Sequence, residues 1–286
     1  MALTINTNLG SMVVQKNLDK ATKSLNQAIE RMTTGYKINS AKDNPAGYAV
    51  STKMNTQLGS ISVAQDNVAI GSSLLSTVES NYDLITTHLQ RIRDLTEEAA
   101  NGTYGEDSVN AIKAEVEARM AEIDRIAASA EFNGIKLMDG TSNASTNGVN
   151  LQIGIDSTAN SQLKLDKSLF GNAQVSVLTA TAGATFLGYY TAGGTDYNKA
   201  LDAVDKALKE VTSRQTQIGA IQNRLDSASD ALEVQYANVT SSLSTIRDAD
   251  VATESSEYIK AQILQQASAS LLSTANQAPS IALNLI

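Results

Sequence analysis

The chain has 286 residues, of which 42% are hydrophobic and only 4% aromatic, and it contains no tryptophan. Its formal net charge of -8 argues against nucleic-acid binding, because phosphate recognition needs a basic face. It contains no cysteine and one histidine, which excludes disulfides and thiolate metal sites and removes most histidine-based catalysis. We therefore expect no catalytic residue, no metal and no cofactor. With so few aromatic rings, the core is expected to consist of aliphatic residues and alanine along helix seams.

The N-terminal residues MALTINTNLGSMVVQ have no basic start and no unbroken apolar core, so they do not look like a secretory signal peptide. No segment of the sequence is long and apolar enough to predict a membrane span. By these signs alone the chain would be expected in the cytoplasm.

The first predicted helix follows a stretch that has no charged side chain before Lys16. Its apolar stripe has the spacing of one helix face: Leu18, Ala21, Leu25, Ala28 and Met32. Residues 33–35 (Thr-Thr-Gly) indicate a helix end with glycine just beyond it. Asn44 before Pro45 predicts the N-cap and the first residue of the next helix.

This next helix is the element around which the chain is organised, and no proline interrupts its stripe from Met54 to Ala99. The steps alternate between three and four residues, close to heptad spacing, apart from one seven-residue gap after Tyr82. The stripe consists of Met54, Leu58, Ile61, Gln65, Val68, Ser72, Leu75, Glu79, Tyr82, Leu89, Ile92, Thr96 and Ala99. A helix of this length extends on the order of 70 Å, so it is predicted to be a rod that needs partner helices.

The segments after the rod are predicted to be shorter. A loop after residues 101–102 (Asn-Gly) predicts a helix from about Ser108 to Ser129 that folds back antiparallel on the rod. One face of this helix carries Val109, Ile112, Val116, Met120, Ile123 and Ile126. Residues 133–134 (Asn-Gly) predict a small hairpin, and the alternation from Val149 to Ile155 predicts a strand. Residues 168–195 carry no charge and are rich in Ala, Thr and Gly, which predicts weakly specified β-structure or loop.

A second rod is predicted from Asp196, because charge and helical periodicity return there together. Its stripe consists of Leu201, Val204, Leu208, Val211, Gln215, Ile218, Leu225, Leu232, Val239, Leu243 and Ile246. A last helix follows Asp250, and residues 261–286 carry no charged side chain.

The predicted fold is mainly α: an elongated antiparallel helical bundle or coiled coil with long rods and a small β-rich central segment. The terminal segments, 1–42 and 248–286, are predicted to lie side by side as one domain. The rod domain is predicted to span 43–140 and 196–247, with 141–195 as a short outward-facing β/loop segment. Each terminal stripe is narrow, and its burial needs more than one neighbouring helix. Self-association through both termini is therefore expected, with helices contributed by many copies.

Three blocks of the sequence resemble bacterial flagellin. The first is residues 1–51, with the run TGYKINSAKD; the second is LQRIRDLTEEAANGT, followed by EVEARMAEIDRIAASAEFNGIKLMDG; the third is ATESSEYIKAQILQQASASLLSTANQAPSIALNLI. With the rods between them, the resemblance covers roughly residues 1–140 and 197–286. The middle matches no fixed pattern and is short, as expected of a flagellin with a minimal variable region.

The resemblance implies a non-enzymatic structural subunit that self-assembles into the flagellar filament for motility. The terminal helices would form the inner tube of the filament, and the rods the layer around it. The resemblance also implies an extracellular location in the flagellum, reached by export through the flagellar type III channel without a cleaved signal peptide. The implied partners are further copies of the chain, the export apparatus and its chaperone, and the filament cap and hook–filament junction proteins. No nucleic acid and no membrane insertion are expected.

Three alternatives remain open at this point. The chain could be a minor flagellin or a hook–filament junction protein, or a secreted coiled-coil interaction module that does not polymerise. A flagellin that carries a metallopeptidase in its variable region is not favoured, because the sequence has no His-Glu-x-x-His motif.

The resemblance also assigns candidate sites. Filament-core packing is expected of apolar residues in the terminal helices: Leu18, Leu25, Met32, Ile259, Ile263, Leu271, Leu272 and Leu285. In flagellins that Toll-like receptor 5 recognises, the matching residues form the main receptor contact: Gln90, Arg91, Leu95 and Glu115. Without the resemblance, this region is interpreted as a solvated helix face with ion pairs such as Arg93 to Glu97.

Two further groups of polar residues have simpler interpretations. His88 has no second histidine or cysteine with which to bind a metal, so it is interpreted as an ordinary helix-surface residue. Asp248, Asp250 and Glu254 are predicted to cap the last helix and to complement its dipole, and not to bind a cation.

Overall fold

The computed structural model describes residues 8–180, 183–190 and 196–283. Within these ranges the chain forms α1 (Leu9–Thr34), α2 (Pro45–Ala99), α3 (Glu106–Ser129), β1 (Glu131–Phe132), β2 (Ile135–Lys136), α4 (Asn143–Asn147), β3 (Val149–Gln152), β4 (Gln162–Leu165), α5 (Val175–Leu178), α6 (Gly183–Leu187), α7 (Tyr197–Arg247) and α8 (Val251–Leu283). The strands form two small antiparallel sheets, β1–β2 and β3–β4. The prediction of a mainly helical fold with long helices and little β-structure is confirmed.

The helix ends lie where the sequence predicted them. Gly35 follows α1 in the left-handed conformation, with φ 74°, and its N–H donates to the Arg31 carbonyl. The side chain of Asn44 accepts a hydrogen bond from the Gly47 N–H at 3.0 Å, so Asn44 caps α2 directly before Pro45. Glycine is needed at position 35 because a side chain is strained at positive φ.

Asp250 caps the last long helix, as predicted. Its carboxylate accepts hydrogen bonds from the Ala252 N–H at 3.0 Å and from the Thr253 hydroxyl at 2.7 Å. These two contacts, the Thr253 hydroxyl above all, lower the pKa of the Asp250 carboxyl below its usual value. The charged form of Asp250 therefore stabilises the start of α8.

The chain divides into two compact units. The terminal unit comprises residues 1–58 and 237–286, and the middle unit comprises residues 59–236. The divisions fall inside α2 and α7, whereas the domain boundaries predicted from the sequence fall at helix ends. The predicted boundaries stay a prediction.

In the terminal unit, α1 and α8 pair antiparallel. Asn8 Nδ2 donates to the Ala275 carbonyl at 2.7 Å near one end of the pair. Near the other end, Arg31 Nη1 lies 3.0 Å from Glu254 Oε1, and the Glu254 side chain is almost fully buried. These contacts at both ends fix the register in which the two helices lie side by side.

In the middle unit, α2, α3 and α7 bury the stripes that the sequence predicted. The buried positions of α3 include all six predicted ones: Val109, Ile112, Val116, Met120, Ile123 and Ile126. On α2, Ile85 is fully buried between Tyr82 and Leu89, so the apparent seven-residue gap in the stripe does not exist. The buried face of α2 is also wider than a heptad seam, because Leu74, Val78 and Leu95 are buried beside it.

The hairpin at residues 133–134 is confirmed. Asn133 and Gly134 both have positive φ, 49° and 76°, and they join the paired strands β1 and β2. Positive φ at both central positions is typical of the type I′ turn that Asn-Gly favours. The predicted strand at Val149–Ile155 is confirmed only as far as Gln152, where β3 ends its pairing with β4.

The prediction of β-structure or loop for residues 168–195 is confirmed only in part where the structure describes them. Loop joins the short helices α5 and α6, which were not predicted, and no strand lies in the described part of this segment. The aromatic rings of Phe170, Phe186 and Tyr190 are almost fully buried, and Phe186 and Tyr190 contact each other. The segment therefore packs into the core of the middle unit, with Tyr190 hydrogen-bonded to Thr96 of α2 and in ring contact with Tyr197 of α7. The absence of charge and the Ala/Thr/Gly composition gave no sign of this packing.

A buried arginine ties this segment to the long helices. Arg214 of α7 donates from Nη1 to the Tyr82 hydroxyl at 3.1 Å and to the Gly171 carbonyl at 3.1 Å. The Tyr82 hydroxyl in turn donates to the Leu169 carbonyl at 3.1 Å. Burial raises the pKa of Tyr82, and the nearby Arg214 guanidinium opposes that shift. Arg214 thus supplies hydrogen bonds to buried polar groups of both α2 and the central segment.

Candidate assembly surface

The contact between α1 and α8 is built from small side chains. Where burial is described, the buried positions of this pair are Ala21 and Ala28 on α1, and Ala261, Ser268 and the Arg31-paired Glu254 on α8. On each helix these positions are seven residues apart, so they form one narrow seam. Small residues allow two helices to approach closely, but they bury little apolar surface.

The large apolar side chains of the same two helices face outward. Exposed on α1 are Leu9, Met12, Val13, Ile29 and Met32, and exposed on α8 are Val251, Ile259, Ile263, Leu264 and Leu271. The exposed fraction is 59% for Ile263 and 58% for Leu271. Contiguous apolar patches on a soluble surface mark sites of interaction with other molecules. The helix pair is thus arranged with small residues inside and large apolar residues outside.

The predicted packing residues lie on this outer surface or at its margin. Met32, Ile259, Ile263 and Leu271 are exposed, whereas Leu18, Leu25 and Leu272 are half-buried. Leu285 lies outside the described residues. Five more exposed residues of this surface were not predicted from the sequence: Leu9, Met12, Val13, Ile29 and Leu264. The signal that would have found them is the small-residue seam, because it identifies the inner face and leaves the large residues on the outer one.

A groove of about 510 Å³ runs along the α1–α8 pair. Its lining includes Ala21, Ala261, Leu264, Ser268 and Leu271. Lys20, Lys260 and Glu257 also line it. The groove has an apolar floor of small residues with room for side chains of another helix.

The predicted receptor residues lie on α2 and α3 of the middle unit. Gln90 and Arg91 are exposed, and Arg91 Nε lies 3.3 Å from Glu115 Oε1. Glu115 also accepts from Arg119 at 2.9 Å, and the pKa of its carboxyl is lowered mainly by this hydrogen bond. Leu95 is only 2% exposed and belongs to the core of the unit. The structure therefore brings Arg91 and Glu115 together at the surface and places Leu95 beneath it.

The described residues show neither a metal site nor a membrane-spanning helix. Among them, no group of three His, Cys, Asp or Glu side chains is arranged to hold a metal ion. His88 is half-buried, and its Nδ1 has no hydrogen-bond partner within the described part of the chain. In those same ranges no helix has the length and hydropathy of a membrane span.

Comparison with known families gives two matches. The model for the bacterial flagellin N-terminal helical region matches residues 5–143, and the model for the bacterial flagellin C-terminal helical region matches residues 201–286. Together they cover most of the chain. The chain belongs to the bacterial flagellin family. The resemblance stated from the sequence is thereby confirmed.

Individual relatives support this family assignment. The flagellin of Listeria monocytogenes is 32% identical over 99% of both chains. The flagellar filament 33 kDa core protein of Treponema phagedenis is 33% identical over 99% of both chains. A solved structure from Vibrio parahaemolyticus, assigned as a flagellar hook-associated protein, is 17% identical and covers 72% of this chain and 100% of its own, with a TM-score of 0.60. That likeness concerns the fold alone.

Membership of the flagellin family makes the chain a structural subunit of the bacterial flagellar filament, which is extracellular and serves motility. Self-polymerisation belongs to that role.

Proposed function

We propose that the chain polymerises through the outward apolar side chains of α1 and α8, which become buried against the same helices of neighbouring copies. The observation that supports this is the arrangement of the pair, with Ala21, Ala28, Ala261 and Ser268 inside and the large aliphatic residues outside. A helix pair that served only its own stability would bury its largest apolar side chains.

The energetics favour many copies over one partner. Full burial of a Leu or Ile side chain contributes about 1.5–3 kcal/mol, and each subunit offers several such residues on two faces. Part of this gain offsets the translational and rotational freedom that a subunit loses on binding. Because the faces lie on both helices, a subunit can contact more than one neighbour, which is the requirement for a growing polymer.

The test is a matched pair of asparagine variants on α8. In Ile263→Asn an exposed apolar side chain becomes polar, whereas in Gln266→Asn one exposed polar side chain replaces another. Loss of one buried aliphatic contact, about 1.5–3 kcal/mol, raises the critical concentration for polymerisation roughly tenfold to hundredfold. Light scattering on seeded samples measures that concentration, and circular dichroism confirms that both monomers remain helical.

We expect Gln266→Asn to polymerise like the unaltered chain. Equal critical concentrations for Ile263→Asn and the unaltered chain would mean that the outward face of α8 is not buried in the polymer. That result would overturn the proposal.

We also propose that the chain is a ligand of host Toll-like receptor 5 through Gln90, Arg91, Leu95 and Glu115. The proximity of Arg91 and Glu115 across two helices supports a joint surface for a receptor. Leu95 lies beneath this surface in the core of the middle unit. Its proposed contribution to receptor binding is therefore indirect: its packing holds in place the turn of α2 that carries Arg91.

Receptor binding is measurable with the purified receptor ectodomain on a biosensor surface. We expect Arg91→Ala and Glu115→Ala each to weaken binding about tenfold or more, because each removes one partner of a polar contact. Arg125→Ala is the control, since Arg125 lies exposed on α3 and pairs with Glu122. Unchanged binding of both site variants would contradict the proposed contact.

We further propose that the chain leaves the cell through the flagellar export apparatus and that a chaperone covers its terminal helices beforehand. The exposed apolar faces support this, because such faces aggregate when unshielded. At the two ends of the filament, the same faces would meet the cap and the hook–filament junction proteins. Purified export chaperone should bind the full chain and fail to bind a chain that ends at residue 250; equal binding would refute the chaperone site.

A further inference from the structure

The chain contains three Asn-Gly pairs, at residues 101–102, 133–134 and 147–148. Asn-Gly pairs are prone to spontaneous deamidation, because a glycine without Cβ lets its backbone nitrogen approach the side-chain amide of the asparagine. The reaction requires the backbone to rotate until that nitrogen faces the amide carbon. The three pairs lie in three different backbone conformations, and this difference decides which of them can react.

The pair at residues 147–148 is held at the end of a helix. Asn147 is the last residue of α4, and the Gly148 N–H donates to the Ala144 carbonyl at 2.9 Å. Gly148 has a φ of 79° and packs closely against the Leu165 carbonyl of β4. The nitrogen of Gly148 must leave its hydrogen bond before it can attack the side chain of Asn147, and the close packing opposes that rotation.

The pair at residues 133–134 is held between two strands. Asn133 and Gly134 have φ values of 49° and 76° and form the turn between Phe132 and Ile135, which pair with each other. Rotation of the Asn133 backbone out of this turn would separate the paired residues. The hairpin therefore opposes the reaction at Asn133.

The pair at residues 101–102 lies in the exposed connection between α2 and α3. Asn101, Gly102 and Thr103 are all exposed, and nothing lies within 4 Å of the position that a Cβ on Gly102 would take. The Gly102 N–H donates no hydrogen bond within the described part of the chain. Rotation of this peptide group therefore costs no hydrogen bond of its nitrogen.

Thr103 holds the side-chain amide of Asn101. Asn101 Oδ1 accepts hydrogen bonds from the Thr103 N–H at 3.3 Å and from the Thr103 hydroxyl at 3.1 Å. The Tyr104 N–H donates to the Asn101 carbonyl at 3.2 Å, which closes the turn that contains Thr103. Two donors on Oδ1 draw electron density away from Asn101 Cγ. They also stabilise the negative charge that develops on this oxygen during attack by a nucleophile.

We propose that Asn101 is a site of spontaneous deamidation in the folded chain, and that backbone conformation protects Asn133 and Asn147. The Gly102 nitrogen attacks Asn101 Cγ and forms a C–N bond. The side-chain amide nitrogen leaves as ammonia, with the proton from the Gly102 N–H. Water then opens the succinimide at either of its carbonyls and gives aspartate or isoaspartate. The proposal does not depend on how the chain polymerises.

Deamidation changes the connection between α2 and α3 in two ways. It adds a negative charge just beyond Ale99-side end of α2, where Glu97 and Glu98 already lie. The C-terminal end of a helix carries partial negative charge, so a carboxylate there is unfavourable. The isoaspartate product also lengthens the backbone of the connection by one carbon atom.

The test is incubation of the purified full chain at mildly alkaline pH, followed by trypsin digestion and mass spectrometry. Lys113, Arg125 and Lys136 separate the three pairs onto different peptides, and fragment spectra assign the modified asparagine in each peptide. A parallel sample in guanidinium chloride gives the reactivity of the same pairs in the unfolded chain.

In the folded chain we expect Asn101 to deamidate about tenfold faster than Asn133 and Asn147, and in guanidinium chloride we expect the three rates to agree within about threefold. Equal rates in the folded chain, or a faster rate at Asn133 or Asn147, would overturn the proposal. The same advantage of Asn101 in guanidinium chloride would also overturn it, because the conformation would then not be the cause.

Thr103→Val tests the contribution of the hydroxyl. Valine keeps the shape of threonine and the backbone N–H but lacks the hydroxyl donor. Deamidation of Asn101 should slow about threefold to tenfold in this variant, since an exposed donor contributes less than one in a water-excluded site. Asn133 of the same chain is the internal control and should react at its former rate. An unchanged rate at Asn101 would refute the role assigned to Thr103.

Discussion

Replacement of Arg214 by alanine is expected to destabilise the middle unit substantially. The residue is 8% exposed, and its Nη1 donates to the Tyr82 hydroxyl and to the Gly171 carbonyl. In Arg214→Ala the Gly171 carbonyl loses the hydrogen bond from Arg214. A buried acceptor left without a donor costs about 1–3 kcal/mol. The packed stem of the arginine is also lost. The ion pair with Glu210 adds little, because Glu210 is 52% exposed.

The total loss is estimated at about 2–4 kcal/mol. For a unit of roughly this size, 1 kcal/mol lowers the melting temperature by about 2–4 °C, so a fall of roughly 4–16 °C is expected. Thermal unfolding of the full chain, followed by circular dichroism, measures it. Arg224→Ala is the control, since Arg224 is an exposed arginine on the same helix and its loss should change stability by less than about 0.5 kcal/mol. Equal melting temperatures for the two variants would refute the role assigned to Arg214.

Three other substitutions test the packing of α2 and the cap of α8. Gly71→Ala should lower stability by up to about 2 kcal/mol, because a Cβ there overlaps the Leu151 side chain, and the cost of moving that side chain exceeds the gain of about 1 kcal/mol in helix propensity. Gly59→Ala, where no atom lies within 4 Å of the new Cβ, should instead raise stability by about 0.5–1 kcal/mol through helix propensity alone. Chemical denaturation of both variants measures the two changes in stability, and their difference is the effect of crowding at position 71. Asp250→Ala should lower stability at pH 7, because the Ala252 N–H and the Thr253 hydroxyl lose their acceptor. Because the folded pKa of Asp250 is lowered, its contribution is present above the unfolded value of 3.8 and is lost as pH falls through the folded value. Denaturation curves of the unaltered chain and Asp250→Ala should therefore differ at pH 7, and the difference should shrink as the pH is lowered below 3.8. A difference that stays constant down to the lowest pH at which the chain folds would contradict the cap.

The sequence predicted the long helices well because their signals are local and repeated. Gly35 and the Asn44-Pro45 pair marked helix ends through backbone and capping requirements that hold in any fold. The stripes of α3 and α7 recur over many turns, so a single polar interruption does not hide them.

The central segment was predicted less well because its order depends on contacts distant in sequence. The 3.1 Å hydrogen bond from Arg214 to the Gly171 carbonyl joins residues 43 apart in sequence. No local sequence pattern predicts such a contact. Short helices such as α5 have too few residues for a periodic signal.

The candidate surface could be predicted in part. The residues of the terminal stripes were correctly placed on α1 and α8, but which side of each helix faces its neighbour depends on the fit of Ala21 and Ala28 to the partner helix. A hydrophobicity pattern assigns the largest side chains to the inside. In this pair most of the large apolar side chains are exposed instead, and we propose that further copies supply the remaining burial.

Electron microscopy of the unaltered chain, dissociated by heat and cooled with short filament seeds, shows whether the chain polymerises. We expect long filaments that elongate from the seeds and leave little soluble protein. Persistent soluble monomer, under conditions in which a known flagellin polymerises, would contradict polymerisation through α1 and α8 and favour a junction protein or a non-polymerising interaction module.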